Sequence, residues 1–251
     1  MATLTFLGSS AAIPALGHDN VFLALEGEQS TVLVDCGGSP LLKLQLAGID
    51  PAGLRSVIFT HRHPDHMYGF PMLMLDLWLL GLQTALRVAG EKEGLQTAQQ
   101  LLQLFHSEEW PGFEPPLYHE VTMASETVAL DLPDLLITAS PSKHIVPSLA
   151  LRFLNKHSGL AVVYSGDTEP CDEVVRLARG ADVLIHEAAG ASTGHSSPAQ
   201  AGMVARQAKV GKLYLVHYPV LDTDLAAMLD EARLEFSGPV ELARDFGVVE
   251  F

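Results

Sequence analysis

Within six residues, His61-Arg62-His63-Pro64-Asp65-His66, the chain places three imidazoles and a carboxylate. These are the donors expected for zinc and similar first-row metals. His61 and His63, two apart, can point the same way in an extended turn, which leaves Asp65 and His66 to face a second point. Four more polar residues recur in a similar setting. His144 follows the apolar run Leu135–Ala139, Asp167 follows Leu160–Ser165, His217 closes the run from Leu213, and His195 precedes a helix at Pro198. Singly, each reads as a cap or a surface residue. Together they are polar groups at successive strand ends, which one site at a sheet edge would gather.

The elements that must position them are legible from short apolar runs ended by turn residues. Strands are expected at Thr3–Leu7, Val21–Glu26, Thr31–Asp35, Ser56–Phe59, Leu86–Ala89, Leu135–Ala139, Ser148–Leu154, Leu160–Ser165, Val183–Glu187, Leu213–His217, Val240–Ala243 and Val248–Phe251. Helical spacing falls between them, at Pro40–Ala47, Pro71–Leu82, Glu91–Phe105, Cys171–Arg179, Ser197–Ala208 and Leu221–Phe236. Ser197-Pro198 is a good helix start, a capping hydroxyl followed by a first-turn proline. Trp110–Pro116 reads as a loop. No linker or low-complexity run interrupts the alternation, so one α/β domain over residues 1–251 is expected.

The six-residue run resembles the signature of the metallo-β-lactamase fold. Leu7-Gly8-Ser9-Ser10-Ala11-Ala12-Ile13-Pro14, His144-Ile145-Val146-Pro147-Ser148-Leu149, Ser165-Gly166-Asp167-Thr168, His186-Glu187-Ala188 and Gly194-His195-Ser196-Ser197 resemble its ribonuclease Z-like branch. The resemblance extends from Thr3 to His217. It implies a four-layer αββα sandwich with two divalent metal ions at one edge of the sheets. By that analogy His61, His63 and His144 hold one ion, Asp65, His66 and His217 hold the other, and Asp167 bridges them. The chemistry implied is two-metal hydrolysis, with a bound water acting as hydroxide near neutral pH. Asp65 would also orient that water. His195 and Glu187 resemble the branch's non-ligand pair, which stabilises charge or protonates a leaving oxygen. Asp35 occupies the position that braces the metal loop. Donors without cysteine suit zinc, with manganese and iron as alternatives.

Other residues attract plainer readings. His186 alternates with Glu187 along a strand and so faces away from it, a structural placement. Cys36 reads as a small core residue, and His18, His106, His119 and His157 as bystanders. Pro71–Leu82 is densely apolar, a buried helix that could form a dimer face or roof the site. Phe105–Val121, with Trp110, Phe113 and Tyr118, could line the entrance.

Of the 251 residues 48% are hydrophobic, enough for a sizeable core. The 15 Lys+Arg against 30 Asp+Glu give a net charge of −15 without any basic cluster, which disfavours a long nucleic acid as partner. Transfer-RNA-processing members of the branch carry a long arm after the equivalent of Ser148–Phe153. Here Leu154-Asn155-Lys156-His157-Ser158-Gly159 leads straight into the next strand. Two unpaired cysteines, no signal-like N-terminus and no apolar stretch of spanning length point to a cytoplasmic protein without membrane contact. The expectation is a dinuclear phosphodiesterase for a small or cyclic phosphate ester. Lactone, thioester or sulfate-ester hydrolysis and tRNA 3′ processing are the alternatives.

Overall fold

A strand that is covered on both faces needs apolar residues at every position, because successive side chains point to opposite sides. The computed structural model, which describes residues 1–82 and 85–251, shows two such sheets. One contains β1 (Thr3–Gly8), β2 (Phe22–Glu26), β3 (Thr31–Val34), β4 (Leu54–Phe59), β5 (Arg87–Gly90) and β6 (Leu117–Glu120). The other contains β7 (Thr127–Asp131), β8 (Leu135–Pro141), β9 (Leu149–Asn155), β10 (Ala161–Tyr164), β11 (Val183–Glu187), β12 (Lys212–Val216) and β13 (Val240–Leu242). The last strand, β14 (Val248–Glu250), returns to pair with β1, so the sheet orders are β14-β1-β2-β3-β4-β5-β6 and β13-β12-β11-β10-β9-β8-β7.

Alternate residues then enter different cores. Leu23, Leu25, Val32 and Val34 meet Ile137, Leu151, Phe153 and Tyr164 between the sheets. Phe22, Ala24 and Leu33 face outward with Phe59 and Phe70, under α1 (Pro40–Leu46), α3 (Phe70–Leu79) and α4 (Lys92–Leu104). Val163, Leu184 and Leu215 pack under α5 (Asp172–Leu177), α6 (Pro198–Ala208) and α7 (Leu225–Glu235). The result is the expected αββα sandwich.

Strands β3 to β6 run parallel, as do β10 to β13. Parallel strands deliver all their C-terminal ends to one edge. The residues singled out above follow β3, β4, β8, β10, β11 and β12 at that edge.

Several boundaries differ from the sequence reading. β6 and β7 were not expected: β6 (Leu-Tyr-His-Glu) is a short, largely exposed strand at the sheet margin, whereas β7 has a short apolar centre, Val128-Ala129-Leu130, that the sequence reading passed over. The one-turn helix α2 (Pro64–Met67) was not expected; proline at its first position starts it inside the histidine motif. α7 begins at Leu225 rather than Leu221, because the Asp224 carboxylate caps the amides of Ala226 and Ala227. At α6 the expected start holds: Ser197 and Gln200 form a reciprocal capping box.

α3 buries Phe70, Pro71, Leu73, Met74 and Leu77 in the outer core, not beside the histidines. The Trp110 ring lies tilted against Trp78 of this helix and Phe113 meets Trp110 edge-on, so the aromatic loop lies on the outer layer too, ahead of the N-terminal end of β6 and away from the histidine edge. Among the described residues no helix is long and apolar enough to cross a membrane. Cys36, buried, and Cys171 are both free.

Candidate metal centre

β3 and β4 are neighbours, which brings Asp35 beside the turn after Phe59. Asp35 sits in the left-handed region at φ 63°. Its carboxylate accepts the Thr60 amide (2.7 Å) and the Thr60 hydroxyl (2.9 Å), and lies 2.8 Å from His66 Nδ1. This contact fixes a proton on His66 Nδ1, so that Nε2 is the nitrogen able to offer a lone pair to a cation. Thr60 Oγ1, having given its hydrogen to Asp35, accepts from His61 Nδ1 at 3.0 Å, which leaves His61 Nε2 bare as well. His144 Nδ1 donates to the Gly194 carbonyl at 2.7 Å, with the same consequence. The sequence reading does not single out Thr60, and it names Gly194 only as part of a motif, without this role. The signal for Thr60 was its place immediately before the motif; Gly194 offered only a backbone oxygen, which sequence cannot aim.

The bare nitrogens converge. His61 Nε2 and His144 Nε2 lie 2.9 and 3.2 Å from the same atom, His63 Nδ1, which has at most one hydrogen to share between them. One oxygen of Asp167, Oδ2, has nitrogens of His61, His66, His144, His195 and His217 at 3.6–4.0 Å. That is too long for hydrogen bonds. It is close to the spacing of atoms sharing one ion, since two ligands about 2.1 Å from zinc in a tetrahedral site stand about 3.4 Å apart. His66 Nε2 and Asp167 Oδ1 are buried without a hydrogen-bond partner, an arrangement that costs about 1–3 kcal/mol per atom. A divalent cation is the partner these donors fit.

The donor atoms fall into groups within 4.8 Å: His61, His63, His144 and Asp167 in one, Asp65, His66 and His217 in the next. Asp167, His195 and His217 make a further trio. The seven candidate residues are therefore brought together at one edge, Asp167 among the donors of His61, His63 and His144 and of His195 and His217. Asp167 arrives through Gly166, whose φ of 57° and close approach to the Leu149 carbonyl require glycine.

Electrostatics reflect the crowding. Burial works to raise Asp167, but His217, His66 and His61 hold its carboxyl well below the usual range. Burial works to lower His66, yet Asp167 and Asp35 lift it well above the usual imidazole value. His61 is pushed well down, first by burial and then by neighbouring imidazoles. Burial also opposes the lowering of Asp65, which His217 brings about through a 3.4 Å contact.

Glu187 lies at the end of β11, buried. Its Oε1 accepts from Thr168 N and Ser196 N, both at 3.1 Å, and lies 2.9 Å from His195 Nδ1; Oε2 accepts the Ala189 amide. The hydrogen bond that His195 donates to Glu187 raises its value against the opposing effect of burial. His186 turns away, as expected, its Nδ1 on its neighbour's carbonyl. Cys36 is in the outer core. His106, His119 and His157 are exposed. His18 touches Ser9.

Residues 30–218 match the family described as beta-lactamase superfamily domain. This chain belongs to the beta-lactamase superfamily. A ribonuclease Z from Methanothermobacter thermautotrophicus is 27% identical over 305 aligned positions, covering 100% of this chain and 97% of the relative. One from a Mycobacterium species is 28% identical over 277, covering 100% and 96%. Among solved structures, the metallo-beta-lactamase fold protein YhfI from Bacillus subtilis superposes with a TM-score of 0.81 at 26% identity, covering 100% of both chains. Within the superfamily this is a short ribonuclease Z-like member and a metal-dependent hydrolase, and the fold implies divalent ions at the histidine edge.

Proposed function

We propose that this protein is a dinuclear phosphodiesterase for a small or cyclic phosphate ester. The observation that carries the reading is Asp167: one buried carboxylate grouped with His61, His63 and His144 and also 3.6 Å from His66 and His217, with His66 Nε2 unpaired. His61, His63 and His144 would hold one ion, Asp65, His66 and His217 the other, and Asp167 both. Bound divalent ions, zinc by donor type, supply water activation and neutralise charge on the phosphoryl oxygens.

The chain's own residues do the rest. Asp65, with its side chain 15% exposed, faces His217 and can accept a hydrogen bond from the attacking water. Glu187, fixed by three backbone amides, presents His195 with Nδ1 occupied, so that Nε2 can serve the leaving oxygen.

The relatives are named as ribonucleases, which supports phosphodiester chemistry. Several features favour a smaller ester than RNA. β9 and β10 are joined by a plain hairpin, with Asn155 Oδ1 accepting the amides of His157 and Ser158 where an arm would leave. The alignment with the archaeal relative runs over 305 positions against 251 residues here, so that relative has inserted segments this chain lacks. The cations next to the motif residues are already paired, Arg62 with Glu93 at 2.8 Å and Lys143 with Glu169 at 2.6 Å.

The test is turnover of bis-p-nitrophenyl phosphate by zinc-loaded protein beside lactone, thioester and sulfate-ester substrates. Phosphodiester turnover is expected to dominate; clear lactone or sulfate turnover without it would sink the reading. The relatives' names keep one second reading, RNA processing, which cleavage of precursor tRNA at physiological salt would establish.

A further inference from the structure

His217 alone among the seven candidate ligands has a left-handed backbone, φ 50°. For a residue with a side chain this costs about 1–2 kcal/mol and persists only where the surroundings hold it. Its amide donates to the Ser9 carbonyl at 2.9 Å, and the next residue, Tyr218, accepts the Ala11 amide at 3.1 Å. The stretch from Ser9 to Asp19 therefore acts as the mould for the His217 turn.

A charged clamp holds that mould. The amides of Ser9 and Ser10 donate to the Asp19 carbonyl, and fully buried Ser9 donates its hydroxyl to Asp245 Oδ1 at 2.8 Å. Asp245 Oδ2 accepts the Asp19 amide at 3.0 Å and the Lys43 ammonium at 2.7 Å. The Lys43 side chain is only 13% exposed, lies 3.3 Å from Asp19 Oδ2 and sits over the Phe246 ring. A mostly buried ammonium between two carboxylates is a costly arrangement to disturb, because each partner removed leaves charge unpaired. Ser9, Asp19 and Asp245 lie outside residues 30–218, the stretch matched to the superfamily.

We propose that Asp245, locked between Lys43 and Ser9, is a positioning residue that holds His217 and thereby sets the affinity of one of two metal positions, the one formed with Asp65 and His66. The inference rests on the reading of those three as ligands. Neither Ser9 nor Asp245 belongs to a donor group. A relaxed Ser9 carbonyl would release the His217 turn and carry its ring away from Asp65, and ligand distances tolerate only about 0.2 Å.

The full chain is equilibrated with buffered zinc, and bound zinc per chain is measured against free zinc. Wild type is expected to bind two. Asp245→Asn and Ser9→Ala should each weaken one ion about 10–100-fold, the effect typical of losing support behind a ligand, and leave the other unchanged. His217→Ala should weaken that same ion, and adding Ser9→Ala to it should change nothing further, because both act through one ring. Ser9→Ala leaves the Lys43 pair intact, so it decides the matter alone should Asp245→Asn fail to fold. Wild-type binding in Ser9→Ala, or equal weakening of both ions, overturns the proposal. Fewer than two zinc ions in wild type overturns instead the ligand assignment beneath it.

Discussion

The two donor groups of this site are built in different ways. His61 and His144 are aimed by neutral partners, the Thr60 hydroxyl and the Gly194 carbonyl, both within short loops of the same edge. His66 is aimed by a carboxylate, Asp35, and His217 by a strained turn clamped from both ends of the chain. A carboxylate behind an imidazole raises its basicity as a ligand; a carbonyl or hydroxyl mainly fixes its tautomer. The first group thus depends on local loop geometry, and the second on charge and on long-range assembly. Asp35 is where they join, since it touches His66 directly and reaches His61 through Thr60.

Breaking Asp167, the residue proposed to join the two groups, should have the largest effect. Asp167→Ala is expected to lower phosphodiester turnover by about 10³-fold or more, with bound metal below two per chain. Metal content remaining at two would refute its bridging role.

A variant outside both groups separates chemistry from metal holding. His195→Ala should reduce kcat by about 10²-fold, the low end for a lost proton donor, and retain both ions. Metal analysis beside steady-state kinetics gives the answer, and loss of metal would make His195 a ligand.

Next comes the shared brace. Asp35→Ala should weaken both ions, by about 10–100-fold at the His66 group and less at His61, where Thr60 intervenes. A chelator titration that shows only one ion affected would break the link through Thr60.

Gly194→Ala should have the smallest effect and touch only the first group. Gly194 has φ 84°, and an added Cβ would lie 2.8 Å from His144 Nδ1. The backbone strain alone is about 1–2 kcal/mol, read as a lower melting temperature. The same substitution should release one ion more readily and leave the Asp65–His66–His217 ion in place.

Metal removal is a coarser probe of the same contrast. Chelation should lower the melting temperature, since ligand at about 1,000 times its dissociation constant adds about 4 kcal/mol to stability.

Much of this was legible before any coordinates. His61, His63, Asp65 and His66 are close in sequence, and no fold could separate them by much. His144, Asp167 and His217 stood out because each follows an apolar run and parallel strands deliver their C-terminal ends to one edge; only the resemblance named them as candidate ligands. β6 stayed hidden because strand signal comes from burial, which this exposed edge strand largely lacks, whereas β7 was passed over despite its apolar centre. Thr60 and Gly194 stayed hidden because their contribution is direction, one hydroxyl and one carbonyl aimed at a ring nitrogen.

By itself, the sequence determined the donor types, their order along the chain and the two-faced apolar strands of an α/β domain, and its motifs, through their resemblance to the metallo-β-lactamase fold, implied the sandwich. It also determined the acidic charge and the absence of an arm. Only the tertiary structure decided which nitrogen of His61, His66 and His144 is free, since a tautomer follows from the atom that faces the opposite side of the ring. Only it joined Ser9, Lys43 and Asp245 behind His217. Segments separated by more than two hundred residues meet through packing alone, and no local pattern encodes that meeting.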